Sequence, residues 1–210
     1  MSTTLENLNW RYATKKFDPS KKVSNQDLET ILKAIRLSPS SYGLQPYHIL
    51  VITDADTRKE LQPASWNQSQ IVDASHMLVF AAKSEFGSEL VDDYLENVST
   101  TRGMDIENLK GYGDFMKSKL LDLPNTVKTS WTTRQAYLAA QSAMLAAAEL
   151  KIDSCPMEGF EPDKYDEILG LKDKGLTSVV VLTVGYRSDE DETQNYPKVR
   201  KSNEELFTHI

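Results

Sequence analysis

The stretch Thr133-Arg134-Gln135-Ala136-Tyr137-Leu138-Ala139-Ala140-Gln141-Ser142-Ala143-Met144-Leu145-Ala146-Ala147-Ala148-Glu149-Leu150 decides how the rest of the chain is read. Alanine is the best helix former and a poor strand residue, so this segment predicts one long buried helix. Its small side chains let neighbouring elements approach closely. Outward from it, Tyr47–Thr53, Met77–Ala82 and Ser178–Tyr186 are apolar, β-branched runs of strand length. Such runs suit the strands of a central sheet covered on both faces. A further short strand is expected just before Gly159. Upstream, Ser24-Asn25-Gln26-Asp27 has the form of a helix N-cap, and Leu28, Ile31, Leu32 and Ile35 follow at helical spacing. That helix is expected to stop before Ser38-Pro39. Residues 3–12 read as a short helix through Leu5, Leu8 and Tyr12, broken by Phe17-Asp18-Pro19.

Between residues 85 and 130 the chain turns polar, with Tyr94, Met104, Phe115 and Met116 scattered among glycines. The reading is a helical excursion of one or two short helices over the sheet. Residues 187–210 open with Arg187-Ser188-Asp189-Glu190-Asp191-Glu192 and read as a C-terminal surface arm. No linker, repeat or composition shift divides the chain, so residues 1–210 are expected to form one domain.

Composition excludes several function classes. A net charge of −7 argues against general affinity for nucleic acid, which depends on neutralising phosphates with Lys and Arg. The longest apolar run, near Val179–Val184, is far short of the roughly 20 residues of a membrane helix, so no membrane span is expected. The first residues have neither the basic nor the apolar region of a secretory signal, which favours the cytoplasm. Cys155 is the single cysteine, so no disulfide framework and no thiolate metal cluster can form, and a buried bystander is its expected role. His48, His76 and His209 lie far apart, and no metal site is expected. Gly111-Tyr112-Gly113 fails as a dinucleotide fingerprint because Met116 stands where a third glycine belongs.

Two short basic clusters sit at opposite ends of the chain: Arg11 and Lys15 within Arg11-Tyr12-Ala13-Thr14-Lys15-Lys16-Phe17, and Lys198 and Arg200 within Pro197-Lys198-Val199-Arg200. Most such residues only solvate a surface. A phosphate monoester, however, is close to a dianion and is best held by two or more cations, of which Arg adds a planar fork. Pro39-Ser40-Ser41-Tyr42-Gly43-Leu44-Gln45-Pro46 is a proline-bracketed turn rich in hydroxyls and amide, which as an isolated motif is an ordinary helix-to-strand loop. Pro156-Met157-Glu158-Gly159-Phe160 places a glycine where a flat ligand could lie against backbone, or where the chain simply turns. Asn67 and Asp73-Ala74-Ser75-His76 put polar groups at a strand mouth.

In this order and spacing, these five segments resemble the nitroreductase family, closest to oxygen-insensitive NAD(P)H nitroreductases and dihydropteridine-reductase-like flavoproteins. The resemblance spans nearly the whole chain and is weakest over 85–130. It implies an α+β fold, a mostly antiparallel sheet wrapped by helices, in an intertwined homodimer with flavin mononucleotide (FMN) at the interface. By the same resemblance, Arg11, Tyr12, Ala13, Lys15, Lys198 and Arg200 would hold the cofactor's phosphate and ring edge. Pro39, Ser40, Ser41 and Gln45 would reach the flavin of the other subunit. Asn67 and Gln70 would contact the ring, and Glu158-Gly159 would face flavin N5. Tyr42, Tyr112, Phe115 and Met116 would line the substrate pocket, although Phe115 could equally anchor a helix.

Two departures stand out: Ala13 where relatives often have Ser, and Gln70 where they have Lys. The implied activity is a ping-pong cycle in which NADH or NADPH reduces the flavin and is replaced by a small electron-poor acceptor, such as a nitroaromatic or quinone. Enone, pteridine or free-flavin reduction on the same scaffold, and a non-catalytic flavin-binding protein, stay open as alternatives.

Overall fold

A computed structural model describes residues 3–210. Four antiparallel strands, β1 (Tyr47–Ile52), β2 (His76–Lys83), β3 (Asp153–Met157) and β4 (Leu176–Gly185), form one sheet in the order β1-β2-β4-β3. The helices are α1 (Thr3–Trp10), α2 (Asn25–Arg36), α3 (Ala55–Ala64), α4 (Gln70–Asp73), α5 (Glu89–Arg102), α6 (Lys110–Leu120), α7 (Asn125–Glu149), α8 (Pro162–Ile168) and α9 (Asn203–Leu206). The alanine-rich segment forms most of α7, as expected. Ala136, Ala139, Ala140, Ala143 and Ala147 bury against α2 and one face of the sheet, at Leu78, Phe80, Val180 and Leu182. The opposite face, with Met77, Val79 and Val181, is covered by Leu61 of α3, Ile71 of α4 and Tyr165 of α8.

The central strands β2 and β4 are thus covered on both sides. The edge strand β1 departs from that expectation, with His48 and Val51 exposed. An edge strand bordered by a single neighbour leaves part of its surface to solvent. Helix α2 begins where expected, with the Ser24 hydroxyl accepting the Asp27 N–H at 3.1 Å. Helix α7 begins eight residues before Thr133 because Pro124 starts it and Thr129 and Thr132 return their hydroxyls to carbonyls, satisfying polar side chains within a helix.

Helix α1 stops at Trp10 rather than residue 12 because the next residues are drawn into extended pairing. Ala13 bridges Ser154 beside β3, and Phe17 bridges Arg187 beyond β4. The excursion consists of α5 and α6 around a separate small core of Leu90, Val91, Leu95, Leu109 and Met116. Among the described residues no helix is long and apolar enough to cross a membrane.

Candidate functional site

The segment from Arg11 to Phe17 leaves α1 beside β3 and is held there by an unexpected partner. Asp191, only 1% exposed, accepts hydrogen bonds from the Lys15 and Lys16 backbone N–H groups at 2.8 and 3.2 Å and from the Tyr12 hydroxyl at 2.9 Å. It also caps its own turn through the Thr193 N–H. These bonds hold the Asp191 carboxyl below its ordinary pKa against the opposing effect of burial. Burial and the bond to Asp191 push the Tyr12 phenol up. The acidic run at the start of the arm is therefore not wholly a surface feature: Asp191 clasps the two chain ends together. Arg187 strengthens the clasp, donating to the buried Asp153 carboxylate from Nε and Nη2 at 2.8 and 2.5 Å and lying against the Trp10 and Tyr12 rings.

The clasp brings both basic clusters to one place. Lys198 donates its ammonium to the Arg11 carbonyl, and the Arg200 charge lies close enough to lower the proton affinity of both Arg11 and Lys198. Burial is the larger cause of the lowered Arg11 pKa, and likewise for Lys198. None of Arg11, Lys15, Lys198 and Arg200 has a carboxylate within ion-pair distance among the described residues. Arg11 Nε is buried and has no hydrogen-bond acceptor. Facing cations with an orphaned donor are an arrangement that a phosphate monoester would complete.

Beside this cluster is Cys155, which senses the charges of Lys15 and Arg11 and touches the Gln70 side chain. Burial pushes its thiol up, so it is a packed bystander rather than a nucleophile. Gln70 is itself buried. Ala13 contributes backbone to the bridge with Ser154. Further along the strand that carries Cys155, the Glu158–Gly159 turn is held from two sides. The Tyr137 hydroxyl on α7 donates to Glu158 Oε1 at 2.6 Å, and Gln68 Nε2 donates to the Gly159 carbonyl at 2.8 Å. A Cβ at Gly159 would lie 2.9 Å from the Trp66 ring, so the glycine is what lets the Trp66 indole pack against this turn. Trp66 and Asn67 both adopt left-handed backbone and are exposed. Asn67, expected at the ring, thus stands at the same turn.

The Ser40–Gln45 loop is built as a separate unit. Ser41 donates its N–H to Gln135 Oε1 on α7, and Gln45 receives no ligand-ready role: its N–H binds Ser40 Oγ and its amide binds the Arg36 carbonyl and the Tyr47 hydroxyl. Pro39 is exposed at the loop's entrance. No hydrogen bond or ion pair among the described residues joins this loop to the four cations. Tyr42 packs edge-on against Phe115, with ring centroids 6.5 Å apart. Phe115 and Tyr112 are 49% and 44% exposed, whereas Met116 is fully buried in the small core. Met116 therefore belongs to the interior of the excursion and not to a pocket wall. Successive helical residues point about 100° apart, so neighbours on α6 divide between the two roles. Met116→Ala is expected to cost about 2–5 kcal/mol of stability. Phe115→Ala should leave the melting temperature nearly unchanged, which parallel thermal scans check.

Tyr137, Asp191, Gln68 and Trp66 were not expected at the site. Tyr137 lies within the long helix, Asp191 within an acidic run, and only Trp66, a lone aromatic in a polar stretch, carried a signal.

An extended segment delivering cations to the edge of a helix-wrapped antiparallel sheet, with a glycine turn at the end of the strand beside it, belongs to an α+β architecture, and only the chain's relatives connect that architecture to FMN. The sequence profile of the Nitroreductase family matches residues 8–186. A Staphylococcus epidermidis protein provisionally named NAD(P)H nitroreductase is 36% identical over 218 residues, covering 99% of this chain and 97% of the relative. A Bacillus subtilis protein with the same provisional name is 35% identical over 218 residues, covering 98% and 96%. The chain belongs to the nitroreductase family. Its fold is shared with a nitroreductase from Exiguobacterium sibiricum whose crystal structure is a complex with FMN, at a TM-score of 0.84, 21% identity and coverage of 100% and 98%.

Proposed function

We propose that the chain is an FMN-dependent NAD(P)H oxidoreductase that passes two electrons to small electron-poor acceptors. The observation that carries this reading is the cluster of Arg11, Lys15, Lys198 and Arg200, which has no carboxylate partner and leaves Arg11 Nε without an acceptor. These residues fit a phosphate monoester. The FMN named for the structural relative, and the nicotinamide donor in the sequence relatives' names, supply the rest of the assignment. When bound, FMN supplies the hydride chemistry, in ping-pong fashion between donor and acceptor. Arg11, Lys198 and Arg200 would hold the phosphate, and Lys15 would supply a cation that stabilises negative charge on the reduced flavin. Tyr137 fixes the Glu158 carboxylate, and with it the Glu158–Gly159 turn, against which the ring would lie. With Gln70 in place of a Lys, that side of the pocket lacks a cation, which favours less anionic acceptors. Tyr112 and Phe115 present the exposed aromatic surface of the excursion for a flat acceptor.

The assembly is a homodimer in this reading. Leu138 on α7 and Val199, Leu206, Phe207 and Ile210 on the arm are exposed, and a second copy would cover them and bring its Ser40–Ser41 loop to the cofactor. Light scattering at micromolar concentration should show twice the 23.7 kDa chain mass; a folded, flavin-loaded monomer would remove this part of the reading. The location is the cytoplasm, consistent with reduced nicotinamide as donor. An anaerobic screen of nitroaromatics, quinones, enones and free flavin against enzyme reduced with NADH or NADPH tests the acceptor assignment. Reoxidation by nitroaromatics or quinones is expected, and reoxidation by enones or free flavin alone would select the alternative reaction.

A further inference from the structure

Beside α4 lies a cavity of about 440 Å³, lined among others by Lys22, Asn25, Thr53, Arg58, Lys59 and His76. Its wall carries cations and no carboxylate. Arg58 is only 4% exposed and directs its guanidinium at three carbonyls, Ile71 and Ala74 at 2.6 Å and Ser75 at 3.4 Å. These bonds satisfy its donors, and among the described residues Asp73 acts on its charge from beyond ion-pair distance. Lys59 is paired with Asp56 at 3.2 Å in an exposed contact of small energetic weight, so its charge is available.

His76 supplies an observation independent of the lysines. It is 9% exposed, and its Nδ1 meets Ser75 Oγ at 3.0 Å while that same oxygen accepts the Val23 N–H at 2.8 Å. With its oxygen accepting from Val23, the Ser75 hydroxyl can donate to Nδ1, and in that tautomer the ring proton is on Nε2. Nε2 has no partner among the described residues, although the ring lines the cavity. Burial first, and then the charges of Arg58 and Lys22 beside it, lower the His76 pKa.

We propose that this cavity is a second anion site, taking a small phosphomonoester whose phosphate meets Lys22, Lys59 and His76 Nε2 and whose organic part occupies the remaining volume. It shares no lining residue with the cation cluster of Arg11, Lys15, Lys198 and Arg200. A carboxylate offers fewer acceptors and less charge for the same donors, so phosphate is the better match.

The test uses FMN-loaded protein, and proton NMR of the three histidines, with His76→Gln assigning the His76 ring signals. Inorganic phosphate and glycerol phosphate should each move the His76 signals along a saturating curve, glycerol phosphate at equal or lower concentration. Acetate at matched ionic strength should not. Lys22→Gln with Lys59→Gln should weaken phosphate binding at least about tenfold, with FMN content and melting temperature unchanged. Arg11→Ala should leave the response intact, which separates this site from the FMN assignment. An absent or non-saturating response, an equal response to acetate, or full binding in the double variant would overturn the proposal. Saturation by inorganic phosphate alone would overturn the phosphomonoester.

Discussion

Asp191→Ala is expected to lower stability by about 3 kcal/mol and, in the same protein, to release bound FMN. The carboxylate is buried and accepts from Lys15, Lys16, Tyr12 and Thr193, so its removal strands several donors at once. Because Tyr12, Lys15 and Lys16 belong to the first segment of the chain and the acceptor to the last, the loss also separates Arg11 and Lys15 from Lys198 and Arg200. Denaturant unfolding monitored together with flavin fluorescence checks both effects. The same carboxylate gives a pH dependence of known sign. Its pKa is depressed in the folded protein, so the stability it contributes is present above the unfolded carboxylate value of about 3.9 and is lost as pH falls through the lower folded value. Asp191→Asn should flatten that part of the acid-unfolding profile, while an unchanged profile would show that the clasp contributes little.

The second large effect is on the cofactor alone. Arg11→Ala or Arg200→Ala removes a charge-assisted contact to phosphate and is expected to weaken FMN binding by about ten- to a hundredfold. Arg11 is the sharper case, because its buried Nε has no acceptor within the protein. Its replacement should leave or slightly raise the stability of the cofactor-free chain, since repulsion from Arg200 is relieved. Equilibrium dialysis and apoprotein melting separate the two. Retention of FMN at the parental affinity by both variants would remove the phosphate assignment.

The parts of this architecture written in local pattern were legible. Ser24 ahead of Leu28, Ile31 and Ile35 marks α2, and the alanines from Ala136 to Ala148 mark the helix α7. Helix α3 escaped because Arg58 occupies an inward position between the buried Leu61 and the loop, so the apolar stripe is broken where a buried guanidinium binds carbonyls. Helix α6 was blurred by Gly111 and Gly113; a Cβ at Gly113 would lie 2.5 Å from Leu95, so that glycine serves close helix packing rather than a turn. At the site, charge type was readable but partnership was not. Arg11 and Lys198 resemble any surface cations until the fold joins the chain ends, and Asp191 is indistinguishable from its exposed neighbours Asp189 and Glu190. Met116 and Phe115 differ only in helical phase, which a helical excursion without defined helix bounds could not supply.

The most direct measurement mixes FMN-loaded protein with NADH, and separately NADPH, under nitrogen in a stopped-flow spectrophotometer, followed by a nitroaromatic acceptor. Rapid bleaching of the flavin absorbance by at least one nucleotide, with colour returning when the acceptor is added, is the expected result. Protein that binds FMN tightly but stays yellow with both nucleotides would contradict the oxidoreductase reading and leave a flavin-binding protein in its place.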